Sequence, residues 1–337
     1  MSKKILLFSD LHLRPESEEV CFQVLDHVLQ TAKQHGCSAI GFLGDFFHLR
    51  YQVPVYLLNK VSEWIWRVRT EAIDLHLLPG NHDQIHTNGE HALEVFRGRL
   101  HVYVHTQPTA SEWGVWMPYR PVEAASKVLQ EMPLQGLNFM WKCSRLFAHL
   151  PVLGAMMNNT KPDASGLPAS TFGGFDEVYL GHYHKPHSPA PNVHYVGSPW
   201  QTRADEAGQQ KRFLLLSQDQ PGFVEIPVHL GRQYFKFHAD SPMSLQTQLL
   251  ELPKPPAPGD HVQLIMPTKS DLDSARKVLQ KHGLSNVNGM ASDLAVPKPR
   301  FGFAKGTSLE KYVAAYVQEK APAGSFLRMA EYWEKLK

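Results

Sequence analysis

Two short apolar runs near the start of the chain, residues 5–8 and 39–43, show no polar alternation; a third strand is expected at 73–78, where Asp74 and His76 interrupt the apolar residues, and helical patterns fill the gaps between the three. A strand that is apolar at every position is covered on both faces, as in a parallel sheet with helices packed on it. Ser17 is expected to cap the first helix, whose face carries Val20, Val24, Leu25, Val28 and Leu29 and which stops at Gly36. Residues 54–70 read as a second helix, and the third strand stops at Pro79 and Gly80. Such β-α repetition predicts an α/β layered fold.

Beyond residue 99 the pattern is rich in strands, with candidates at 100–104, 115–118, 146–148, 177–180, 193–196 and 213–216. Two sheets packed as a sandwich with outer helices accommodate them. Near residue 230 the character changes to a strand at 234–237, a helix near 243–252, a linker-like 253–259, a strand at 262–266 and an amphipathic helix at 270–282. Two further helices are expected in the last forty residues. One starts at the capping box of Thr307 and Glu310, the other at Ser325. A chain of 337 residues exceeds one compact core, so a large first domain, residues 1–230, a smaller second one, 231–300, and a helical segment, 301–337, are expected.

Histidine stands out at 19 copies, and its spacing carries the chemistry. Five motifs each sit where a strand is expected to end: Asp10-Leu11-His12, Gly44-Asp45-Phe46-Phe47-His48, Gly80-Asn81-His82-Asp83, His149, and Gly181-His182-Tyr183-His184. Strand ends on one edge of an α/β layer converge, so ligands scattered in sequence meet at one site. Nitrogen and oxygen donors without thiolate favour manganese, iron or zinc in a working site over a structural zinc finger. Two ions some 3.5–4 Å apart suit phosphate-ester hydrolysis by an activated water. Asp45 is the expected bridge, one oxygen toward each ion. Asp10, His12 and His184 are expected at one ion, and Asn81, His149 and His182 at the other. His82 is left for the substrate, to stabilise the phosphorane or protonate the leaving oxygen, with Asp83 orienting its ring and His48 reaching the phosphate or supporting the ligands. The remaining histidines, among them His27, His35, His76, His91, His101, His105, His187, His194, His229 and His238, read as core or solvated residues.

The ordered set D-x-H, G-D-x-x-H, G-N-H-D, lone His and G-H-x-H, residues 10 to 184, resembles the calcineurin-like metallophosphoesterase superfamily. Tyr195-Val196-Gly197-Ser198-Pro199, followed by Arg203, Glu206 and Lys211, is similar to the matching segment of SbcD-type DNA repair and recombination nucleases and their phage relatives. Ala204 and Asp205 stand where those proteins usually carry an aromatic residue, and the chain is short for a cellular member, closer to a phage version. The resemblance implies a four-layer β-sandwich flanked by helices, with a small α+β cap domain that binds DNA and C-terminal helices that grip an SbcC-type coiled-coil ATPase. It further implies two manganese ions, duplex-end exonuclease and single-strand endonuclease activity, and a homodimer. The helix bearing Trp64, Trp66 and Val68 either forms the dimer surface or packs on the sheet. Tyr312, Phe326 and Trp333 either hold the partner or close their own helical hairpin.

Composition narrows the reading only by exclusion. A net charge of +2 does not identify a nucleic-acid binder, although residues 297–337 carry +4. Cys21, Cys37 and Cys143 show no C-x-x-C spacing and read as small core residues in a reducing compartment. No run approaches the roughly 20 apolar residues of a membrane span, and a cytoplasmic protein is expected. Two competitors stand beside the nuclease: a phosphodiesterase for small phosphodiesters such as cyclic nucleotides, against which the Gly197-Ser198-Pro199 segment speaks, and a catalytically silent scaffold, against which the intact ligand set speaks.

Overall fold

The structure is a computed structural model and describes residues 2–85, 90–131, 144–252 and 255–291. The three opening runs are strands β1 (Lys4–Phe8), β2 (Ala39–Leu43) and β3 (Asp74–Leu78), joined to β4 (Val102–Val104) in parallel register. A second sheet holds β5 (Thr109–Ser111), β6 (Gly114–Met117), β7 (Arg145–His149), β8 (Glu177–Gly181), β9 (His187–Ala190) and β10 (Val193–Tyr195), in the order β5-β6-β7-β8-β10-β9. The chain then returns to the first sheet as β11 (Lys211–Ser217) and β12 (Val224–Val228), giving the order β12-β11-β1-β2-β3-β4.

Why β1 lacks polar alternation is visible in its neighbours. Leu6 and Phe8 join the core shared with helices α1 (Glu18–Gln34) and α2 (Val55–Thr70), while Ile5 and Leu7 face the second sheet beside Trp116, Phe147 and Tyr179. A third cluster covers the far side of the second sheet, where Val115, Leu146 and Val178 meet Ala125 and Leu129 of α3 (Val122–Glu131). The layers therefore run helix, sheet, sheet, helix, as expected. Trp64 is 2% exposed and packs inward, whereas Trp66 is 60% exposed on the opposite face of α2. Cys21 and Cys37 are buried; Cys143 lies outside the described residues.

Several local expectations need correction. Ser17 does precede α1, but its hydroxyl makes no cap hydrogen bond and instead donates to the His12 carbonyl at 3.1 Å. The strand expected over 100–104 begins only at Val102, because His101 takes a left-handed φ of +61° that breaks extended backbone. Strands β5, β9 and β12 escape the sequence pattern, and all three lie at sheet edges. Two of them carry proline, Pro189 and Pro227, which an edge tolerates because a missing N–H need not break a ladder.

Arg145 ties the two sheets together from a buried position on β7. Its guanidinium donates to Glu177 Oε2 on β8 at 2.7 Å, and to the carbonyls of Ser217 and Gln220, at and just beyond the end of β11, at 2.8 and 2.6 Å. Between the sheets His76 Nδ1 and His105 Nε2 stand 3.0 Å apart, both rings stacked on Trp116.

The chain divides into two compact units, Met1–Lys236 with Pro256–Gln263, and Phe237–Pro255 with the chain from Leu264 onward. The third sheet is ordered β13 (Tyr234–His238), β14 (His261–Met266), β15 (Val287–Ala291). Strand β14 buries every second residue, Val262, Leu264 and Met266. Helices α4 (Pro242–Glu251) and α5 (Lys269–Lys281) bury Leu245, Leu249, Leu272, Ala275 and Leu279, and start on side-chain caps from Ser241 and Thr268. The C-terminal helices expected after residue 300 lie outside the described residues.

Two outcomes follow. Arg145→Met leaves Glu177 buried without its partner, and urea unfolding should register a loss of about 3–5 kcal/mol. Burial holds His76 down to about 3, with His105 adding to it, and burial likewise holds His105 to about 4, against an ordinary 6.5. The unfolded chain thus takes up protons first, so this contribution is complete above pH 6.5 and is lost as pH falls toward 4 and then 3. Unfolding curves collected between pH 7 and 4 should fall less steeply for the His76→Leu/His105→Phe variant than for wild type.

Candidate metal centre

Parallel strands place all five motifs on one edge. Strands β1, β2 and β3 of the first sheet and β7 and β8 of the second each end at a motif, and the backbone lashes these ends together. Asp10 N–H donates to Gly44 O at 2.9 Å, His12 N–H to Asp45 O at 3.0 Å and His48 N–H to Leu13 O at 3.1 Å. Across the sheets, His149 Nδ1 reaches Leu43 O at 2.7 Å and the His182 N–H meets the Asp10 carboxylate at 3.1 Å. Gly44 is a steric necessity: its φ is +96°, and a Cβ there would lie 2.3 Å from His149 Nδ1. Asp10, His12, Asp45 and His182 adopt positive φ as well, between +52° and +105°. Left-handed backbone is costly for non-glycine residues and persists where the surroundings fix it.

The donors form overlapping groups around Asp45: His12, His48 and His82, and likewise Asp10, Asp45 and His149, offer atoms within 4.8 Å of one another, beside the two sets that follow. In one, His12 Nε2 and His184 Nε2 stand 2.9 Å apart, and Asp10, His12 and His184 offer atoms all within 4.8 Å of one another. In the other, Asn81 Oδ1 lies 2.9 Å from His182 Nδ1 and 3.1 Å from His149 Nε2, and those two nitrogens are 3.4 Å apart. Asp45 Oδ2 is 3.7 Å from His12 Nε2 and 3.5 Å from His149 Nε2, so one oxygen reaches both groups. The second oxygen, Oδ1, accepts the His82 N–H at 2.8 Å. His182 and His184 do not turn the same way, as alternation along an extended segment would require. The left-handed His182 sends its ring to Asn81 and His149 instead.

Charge at the site is mixed: burial raises Asp10 toward its neutral form and, against the burial of His149, Asp45 lifts that ring to about 9, while other groups present free donors. Burial holds His12 well below the ordinary histidine value and His182 at about 3, with His149 adding to the effect on His182, so both present neutral, lone-pair nitrogens. Burial resists ionisation of Asp45, but His149 and His12 outweigh it and hold the carboxylate well below its usual range. Buried oxygen and nitrogen donors that face one another, with no sulfur among them, fit divalent metal ions.

Asp83 differs from expectation. Its carboxylate does not touch the His82 ring; it accepts three backbone N–H groups, from Phe46 at 3.1 Å, Phe47 at 2.9 Å and Gly80 at 2.9 Å. It therefore binds the two loops that carry Asp45 and Asn81. The orientation of His82 comes from His48, whose carbonyl accepts His82 Nδ1 at 3.1 Å and whose ring stacks on it at 5.2 Å.

A cleft of about 550 Å³ opens above these groups, lined by His12, Asp45, His48, Asn81, His82, His182 and His184. Arg14, Arg203, Asn158 and Trp200 also stand in its walls, as does Glu206. Arg203 belongs to the segment that carries the family resemblance, whereas Arg14, Asn158 and Trp200 had no part in the sequence reading. Arg14 follows His12 by two residues and Trp200 follows Pro199 directly, but Asn158 sits in a loop without any motif.

The edge of a two-sheet α/β sandwich that gathers such a donor set defines a metal-dependent phosphoester hydrolase. The sequence pattern of the calcineurin-like phosphoesterases matches residues 3–236, and the chain belongs to that family, whose members work with divalent metals. Among known proteins it is similar to Exonuclease subunit 1 of Enterobacteria phage T4, 22% identical over 239 residues, covering 66% of this chain and 67% of that protein. Among solved structures it is similar to the Pseudomonas putida nuclease MPE, at 15% identity and a TM-score of 0.32 over 66% of this chain and 87% of the other. It is also similar to a dimetal phosphatase from Danio rerio, at 9% identity and a TM-score of 0.36 over 68% and 99% of the two chains.

Removal of the Asp83 carboxylate orphans three buried amides, each costing about 1–3 kcal/mol. Asp83→Leu should therefore lower the unfolding midpoint and, by freeing the loops of Asp45 and Asn81, weaken divalent-ion binding in a calorimetric titration.

Proposed function

We propose that this chain is the nuclease subunit of an SbcCD-type complex, a DNA exonuclease and endonuclease that works with two divalent ions, manganese by preference, in recombination, repair or phage replication. The observation that carries the reading is the pair of donor groups sharing Asp45 Oδ2 on the floor of an open cleft. Likeness to the phage T4 exonuclease subunit favours DNA as the substrate.

Asp10, His12 and His184 would hold one ion and Asn81, His149 and His182 the other, with Asp45 contributing to both. When bound, such ions supply Lewis acidity and lower the pKa of attacking water. His82 spends Nδ1 on the His48 carbonyl, which leaves Nε2 to meet charge on the phosphoryl oxygens or to protonate the leaving oxygen. His48 both orients His82 and lines the cleft. Arg14 and Arg203, on the cleft walls, offset the charge of neighbouring phosphates.

Residues 231–300 serve as a DNA-binding cap, and residues 301–337 grip the coiled-coil base of an SbcC-type ATPase, both assigned by position and size. The exposed Trp66 face of α2 forms the homodimer surface. The protein acts in the cytoplasm, that of the host if a phage encodes it.

Purified chain with manganese should cut labelled duplex ends and single-stranded DNA. His82→Ala should slow cleavage about 10²–10⁴-fold, and Asp45→Ala should abolish it. Hydrolysis of bis-p-nitrophenyl phosphate without any cleavage of DNA, even with the ATPase partner added, would sink the nuclease and favour an enzyme for small phosphodiesters.

A further inference from the structure

Between the catalytic edge and β11 lies a buried polar network in which Glu206 is central. Glu206 is 2% exposed and closes the short turn Ala204–Glu206. Its Oε1 lies 2.8 Å from His184 Nδ1 and accepts the Thr202 hydroxyl. Its Oε2 accepts Lys211 Nζ at 2.8 Å and the Thr202 N–H at 3.1 Å. Lys211 Nζ in turn donates to the His184 carbonyl at 3.0 Å, to Ser198 Oγ at 2.9 Å and to Gln209 Oε1 at 2.8 Å. The histidine is thus held at both ends, its ring by the carboxylate and its backbone by the ammonium that neutralises that carboxylate.

Resting on the two-ion reading above, we propose that Glu206 is a positioning residue that fixes His184 in the tautomer able to ligate metal. An ionised carboxylate only accepts, so the imidazole proton facing it must sit on Nδ1. The lone pair then resides on Nε2, the atom 2.9 Å from His12 Nε2 and within the Asp10, His12 and His184 group. Carboxylates behind a ligating histidine set its orientation and raise its basicity. A purely structural ion pair with Lys211 would not need the shared contact to the imidazole.

Glutamine discriminates the two roles, because it keeps the shape and alters only the donor pattern. An amide with its NH₂ toward Lys211 Nζ and the Thr202 N–H sets donors against donors, so the NH₂ turns toward His184. That forces the imidazole proton onto Nε2 and removes the ligating lone pair. In the full chain, calorimetric titration with Mn²⁺ should show one of two sites weakened about 10–100-fold in Glu206→Gln, the other unchanged. Titration with Co²⁺ should lose the visible absorption of that one site. Phosphodiesterase activity should fall at low Mn²⁺ and return as Mn²⁺ is raised, a rescue that a defect in folding would not show. Should Glu206→Gln fold poorly, Glu206→Gln/Lys211→Met, which removes the buried ion pair from both sides, should show the same selective weakening. Two ions bound with wild-type affinity in either variant would overturn the assignment. Wild-type chain that takes up no divalent ion would instead defeat the two-ion reading itself, and the inference with it.

Discussion

One buried carboxylate holds together the edge where the five motifs meet. Asp45 sits between two sets of imidazoles, its Oδ2 within 3.7 Å of both, and its Oδ1 takes the backbone N–H of His82. A charge in that position is tolerable only if cations or strong donors surround it. The close approach of β2, β3, β7 and β8 at their carboxyl ends, the glycines on either side of the carboxylate and the left-handed turns after β1 and β2 bring such partners to it. The sandwich below supplies the rigidity to sustain it, with Trp116 and Phe147 packed between the sheets and Arg145 linking them at one end.

Support for the candidate donors comes in layers of different chemistry. Asp83 anchors loops through backbone amides, His48 sets His82 through a carbonyl and a stacked ring, and Glu206 faces a ring nitrogen directly. Each uses an acceptor that a sequence motif alone cannot assign to its donor. The roles traded between Asp83 and His48 show this well: proximity in G-N-H-D points to Asp83 as the partner of His82, but adjacent residues on a tight turn project apart, and the partner comes from another strand end.

Much of the fold was legible because apolar period reports burial. Strands β1 and β2 could be read from apolar runs covered on both faces, β3 from its leucines ahead of Pro79 and Gly80, and α1 and α2 from one-sided spacing. Edge strands β5, β9 and β12 were not, since an edge neither buries both faces nor excludes proline. Trp64 and Trp66 are two residues apart on one helix, and only packing shows that the first is core and the second solvent-facing.

The sequence by itself determined the family: nitrogen and oxygen donors at expected strand ends, Asp10, His12, Asp45, Asn81, His149, His182 and His184, stand in the order that resembles the calcineurin-like phosphoesterases, and the family pattern matches. Tertiary structure alone decided which oxygen of Asp45 lies between the imidazoles and which acceptors face His82, His149 and His184. The physical reason is range. Spacing along a strand or turn fixes the face on which a residue stands over a few positions, whereas Glu206 meets His184, and His182 meets Asp10, across 22 and 172 residues of chain, where only the packing of two sheets brings them within hydrogen-bond reach.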